Sequence, residues 1–146
     1  MASIRKEFIV RAAPGVVWAA LRDFGAVHLK LAPGFVADCS LDEDGAVRVV
    51  TFGNGVTVRE RLVACDDTAR RLAYTVEGGR ATHHHASAQV LPEGEGASRF
   101  VWITDVLPDS LAPALDSMMQ AGAQAMQSHL ETAARSRVGS DLRRSS

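Results

Sequence analysis

From Phe35 to Val106 the apolar residues of this chain recur at nearly every second position, and after Pro108 they recur at every third or fourth. The first pattern is that of strands with one covered face, and it predicts six of them, at about 35–41, 46–52, 56–65, 70–77, 82–91 and 97–106. Asp42-Glu43-Asp44-Gly45, Asp66-Asp67, Gly78-Gly79 and Pro92-Glu93-Gly94-Glu95-Gly96 separate them, with the residue types of tight turns. Connections this short make neighbouring strands antiparallel. A sheet with one apolar face must be covered, and only the segment from Asp109 to about Ala134 is long enough to do it. There Leu111, Leu115, Met118, Gly122, Ala125 and Met126 fall on or beside one helical face. Such a helix is roughly 39 Å long at 1.5 Å per residue. Pro113 lies in its first turn or so, where it marks an offset start.

Before the six strands, Ser3–Arg11 carries Ile4, Phe8 and Val10 on one face, interrupted by Lys6, and reads as a further strand. Pro14 then opens a helix through Val17, Trp18 and Leu21, and a second short helix runs through Val27 and Leu31 to the stop at Pro33-Gly34. The predicted class is therefore α+β. Seven antiparallel strands form a curved sheet wrapped around a long C-terminal helix, and two short helices after the first strand plug one end. Residues 1–135 are expected to form one domain, with 136–146 a disordered polar tail.

A chain of 146 residues buries about 68–70% of its unfolded surface, enough for a core without staples. Its hydrophobic fraction of 47% and charged fraction of 23% are those of a globular domain rather than a disordered one. A formal net charge of −1 offers no basic footprint for nucleic acid. Cys39 and Cys65 lie in apolar strands without CxxC spacing, so both are expected to be buried free thiols. The opening MASIRKEFIV lacks a secretory pattern, and no stretch approaches the ~20 apolar residues of a membrane span. These features predict a cytoplasmic protein.

Alternation places Val56, Val58, Glu60 and Leu62 on one face of their strand, which turns Glu60 toward the apolar side. A carboxylate facing a low-dielectric cavity can serve as a general acid or base or bind a ligand hydroxyl; the alternative is a salt-bridged structural glutamate. In His83-His84-His85, adjacent side chains of a strand point to opposite faces, so the three cannot converge on one metal ion. The set His84, Ala86, Ala88 and Val90 is the apolar one and turns His84 inward. An inward Glu60 and His84 would make an acid/base pair; the alternative is that His84 is a core histidine hydrogen-bonded to a neighbour. Met118 and Met119 read first as core, though their thioethers suit a pocket that accepts several shapes. Trp18 reads as structural. Phosphate-cradling, dinucleotide, HExxH and nucleophile-elbow motifs are all missing, so no cofactor is called for.

Three segments, AAPGVVWAALRDFGAV, TFGNGVTVRERLVACDDTARRLAYTVEGG and SRFVWITDVLP, together with the element order, resemble the START-like helix-grip superfamily over about residues 3–134. That superfamily includes bacterial polyketide cyclases, lipid-transfer domains, pollen allergens and abscisic-acid receptors. The resemblance implies a gate at Phe52-Gly53-Asn54-Gly55 faced by Gly78-Gly79-Arg80, although the gate proline and the pocket lysine of the receptors have no counterpart here. It implies a pocket whose aromatic wall is Phe35, Phe52, Tyr74, Phe100 and Trp102. Asn54, Val58 and Thr104 would join that wall, and Leu115, Met118, Met119 and Gly122 would line it from the helix. The function implied is binding of a small hydrophobic metabolite, with Glu60 and His84 catalysing a cyclase or dehydratase-like reaction. Alternatively the chain is a carrier, or a module that engages a partner protein when ligand closes the gate. As a monomer or homodimer it would need neither cofactor nor metal.

Overall fold

The computed structural model describes residues 1–145, those from 138 on by backbone alone. All seven predicted strands form, each end within one residue of its expected place: β1 (Ala2–Val10), β2 (Val36–Asp42), β3 (Val47–Phe52), β4 (Thr57–Asp66), β5 (Arg71–Glu77), β6 (His83–Pro92) and β7 (Ser98–Leu107). They make one antiparallel sheet in the order β1-β7-β6-β5-β4-β3-β2. Register breaks between Val36 and Asp38 and between Leu62 and Ala64 insert bulges, which increase the local twist and help bend the sheet.

Helix α1 (Pro14–Arg22) starts on its proline and buries Val17, Trp18 and Leu21. The Trp18 indole N–H donates to Asp67 Oδ1 at 2.8 Å, fastening the helix to the turn after β4. The second short helix is irregular, a 3₁₀ turn at Phe24–Ala26 followed by a π turn at Val27–Leu31, and it buries Phe24, Val27 and Leu31 against the end of the sheet. A 3₁₀ turn at Asp109–Leu111 precedes helix α2 (Ala112–Ser145), so Pro113 falls in the first turn, where its missing N–H costs nothing.

Helix α2 crosses the inner face of the sheet, burying Met119, Ala123, Met126 and Leu130. On the sheet, Phe8 stacks on Phe100 with centroids 4.8 Å apart. Lys6, which interrupts the apolar face of β1, lays its stem along it and meets Asp116 of α2 at 2.9 Å. At the open edge of β1 the Ile9 carbonyl accepts from Gln127 Nε2 at 2.8 Å, and the Arg11 N–H donates to Glu131 Oε1 at 3.2 Å. Two side chains of α2 thus occupy backbone groups on that edge.

One expectation changes. Cys39 is buried, but Cys65 is exposed, because it stands next to the last residue of β4, past the bulge and at the margin of the covered face. The tail expected at 136–146 lies, from residue 138, outside the described side chains. No described helix is long and apolar enough to cross a membrane.

Candidate functional site

The sheet and α2 line a partly open cavity of about 130 Å³. In its wall, small residues stand where large neighbours meet. Ala88 pairs across the strands with Leu72 and Trp102, and Gly122 of α2 faces Phe35 and Trp102 so closely that a Cβ there would lie 3.0 and 3.1 Å from their rings. For scale, a dry apolar cavity of about 150 Å³ accommodates benzene.

Phe35, Phe52, Tyr74, Phe100 and Trp102 all line the cavity, as do Val58 and Thr104 from the sheet. Leu115, Met118, Met119 and Gly122 close it from the helix. Glu60 and His84 also line it. Asn54 does not: it is exposed at the tip of the β3–β4 loop, and its Oδ1 accepts from the Val56 N–H two residues on, as asparagine commonly does in a turn.

That loop is anchored to the segment before β2. The Gly53 N–H donates to the Phe35 carbonyl at 3.0 Å, and Phe35 meets Phe52 edge to face with centroids 5.4 Å apart. A Cβ on Gly53 would lie 2.7 Å from the Gly34 carbonyl oxygen, a backbone atom with little freedom to move. Gly53→Ala is therefore expected to cost about 1–3 kcal/mol, the usual range for overpacking, read as a lower urea midpoint at unchanged slope. A midpoint equal to that of the parent protein would show that this contact carries no constraint.

The residue that sequence reasoning missed is Arg48. It is only 5% exposed, and its Nε donates to Glu60 Oε1 at 2.7 Å while Nη1 donates to the Phe24 carbonyl at 3.3 Å. The guanidinium sits over the rings of Phe24 and Tyr74, 4.2 and 4.9 Å from their centroids, a cation–π arrangement. A signal for it exists in the sequence. A hairpin centred on Gly53-Asn54-Gly55 pairs Thr51 with Thr57 and, continuing outward, Arg48 with Glu60. Of the two readings of Glu60, the salt-bridged one describes its contact.

His84 has a different environment. Thr75 pairs with His85 and Val76 with Glu60, so one further step of the β5–β6 register sets Val76 between Glu60 and His84. Two strand spacings then separate the backbones of Glu60 and His84, about 10 Å. The carboxylate is turned to Arg48, and no hydrogen bond joins the His84 ring to any described residue. Burial, and the neighbouring His83, push the His84 imidazole below the ordinary histidine value, so its neutral form is favoured. Tyr74, whose hydroxyl accepts from Trp102 Nε1 at 3.3 Å, is shifted the opposite way in pKa: burial first, and the Glu60 charge second, raise it and keep the phenol protonated. No group of three or more His, Cys, Asp or Glu side chains suited to a metal ion occurs among the described residues.

A curved seven-stranded antiparallel sheet gripping a terminal helix over a mostly apolar cavity defines the START-like helix-grip class. Within it, the chain belongs to the polyketide cyclase/dehydrase and lipid transport family, which matches residues 1–135. Among solved structures it is similar to the protein XoxI from Bacillus cereus, with TM-score 0.80 and 21% identity over 92% of this chain and 96% of that one. It is similar also to a protein from Thermobifida fusca, with TM-score 0.73 and 28% identity over 90% and 91%. A third is norcoclaurine synthase from Thalictrum flavum in complex with dopamine and hydroxybenzaldehyde, with TM-score 0.65 and 20% identity over 87% and 84%. No curated protein matches in sequence.

Proposed function

We propose that this protein binds a small, mostly apolar metabolite of about single-ring size in the cavity between sheet and helix, and that it acts on that molecule by moving a proton through His84. The observation that carries the reading is the cavity itself, apolar around most of its wall and polar where Arg48, Glu60, Tyr74 and His84 meet it. A volume of about 130 Å³ is on the scale of one aromatic ring.

The chemical roles divide by environment. Glu60 is committed to Arg48, so it is proposed as a positioning residue that holds the guanidinium and shapes the polar end. His84, whose neutral form is favoured by burial and which has no hydrogen-bond partner among the described residues, is proposed to take a proton from the ligand and return it, as in cyclisation or dehydration. The committed state of Glu60 also favours a second reading, a carrier that encloses its cargo unchanged.

Binding is tested with toluene as probe, followed in amide NMR spectra. Shifts confined to cavity residues such as Val58, Ala88 and Met119, and lost when Ala88→Phe fills the space, are the expected result. A spectrum unmoved at millimolar toluene would remove the pocket as a binding site.

A further inference from the structure

Counting donors and acceptors at the polar end of the cavity points to one kind of ligand group. The Tyr74 side chain is 7% exposed, and its oxygen accepts from Trp102 Nε1. A phenol also carries one hydrogen to donate, and no described residue accepts it. Buried donors left unmade are costly, so this one calls for an occupant of the cavity that accepts it. Arg48 is the other strong donor there. Its Nε is engaged by Glu60 and one Nη1 hydrogen by the Phe24 carbonyl, its remaining N–H groups have no acceptor among the described residues, and the Glu60 carboxylate balances its charge. The corner therefore presents the Tyr74 hydroxyl and uncommitted guanidinium N–H groups beside a carboxylate that already balances the positive charge, so a neutral acceptor is satisfied there while an anion would bring a second negative charge beside Glu60.

Resting on the binding reading above, we infer that Tyr74 donates its hydroxyl hydrogen to a neutral carbonyl oxygen of the ligand. Uncharged aryl ketones and aldehydes are then the preferred class, and aryl carboxylates are rejected. The raised pKa of Tyr74 is consistent with this, because the same burial and the same neighbouring carboxylate that keep the phenol protonated disfavour a second negative charge. Tyr74 was expected from sequence to supply an aromatic surface; its hydroxyl is the additional specificity determinant.

The test compares toluene, acetophenone and benzoate by calorimetry at pH 7.5, on the parent protein and on Tyr74→Phe. In the parent, acetophenone is expected to bind more tightly than toluene by about fivefold, the contribution of one neutral hydrogen bond, with benzoate the weakest. In Tyr74→Phe, toluene binding persists and the preference for acetophenone disappears. A preference that survives the substitution, or benzoate binding tighter than acetophenone, overturns the inference while leaving the cavity a binding site. Failure of all three probes to bind the parent removes the binding reading and this inference with it. Should Tyr74→Phe not fold, the carbonyl resonance of ¹³C-labelled acetophenone on the parent protein decides. A downfield shift on binding is expected from hydrogen bonding, and no shift overturns the assignment.

Discussion

Arg48→Met is expected to lower the unfolding free energy by about 3–5 kcal/mol, the range for removing one partner of a buried ion pair. Both partners are almost enclosed, Arg48 at 5% and Glu60 at 7% exposure, so the carboxylate left behind has neither water nor a cation to stabilise it. The loss extends beyond charge. The Phe24 carbonyl gives up a donor, and the rings of Phe24 and Tyr74 give up the planar group between them. For a domain of this size the melting temperature should fall by roughly 10 °C or more. The double variant Arg48→Met/Glu60→Leu should recover most of the loss, since apolar replacement of a whole buried pair is often neutral or stabilising. Thermal melts of the two variants check this. A single variant as stable as the parent would mean that water reaches Glu60 and that the corner is wetter than its packing indicates.

His84→Ala is expected to slow proton transfer about 10²–10⁴-fold, the usual contribution of a positioned acid/base group, with probe affinity little changed. Exchange of the methyl protons of acetophenone for deuterium in D₂O, followed by proton NMR, measures the step without knowledge of the natural ligand. The depressed pKa of His84 sets the pH profile. As base the imidazole must be neutral, so the rate climbs as pH rises through the folded-state value, which lies below about 6.5, and is level at pH 7. Stability follows the same group with a definite sign. Below about 6.5 the unfolded chain binds a proton at this position before the folded chain does, so the His84 contribution to stability falls as pH drops toward the folded-state value. In His84→Ala both pH dependences should flatten. Exchange at the parent rate in His84→Ala would leave the carrier as the surviving reading.

The helix-grip architecture was legible in the chain because periodicity reports which face of an element is covered. Strand ends fell within one residue of their places because glycine, proline and aspartate mark each turn. Glu60 and His84 were placed on the cavity side by the same alternation, which needs only a regular strand. Asn54 was misplaced because alternation stops at the turn, where a local hydrogen bond decides the side chain's direction. Cys65 was misplaced because a bulge and the end of a strand interrupt the covered face.

What the sequence alone determined, then, is the set of elements and the side of each that turns inward, both consequences of local stereochemistry. Tertiary structure decided which inward groups meet. Pairing of β3 with β4 brought Arg48 onto Glu60, and the separation of β4 from β6 kept His84 apart from both. It also decided the cavity volume, through the meeting of Gly122 and Ala88 with aromatic rings from distant parts of the chain. Contacts between residues far apart in sequence depend on register and curvature summed over the whole sheet, and no single segment encodes them.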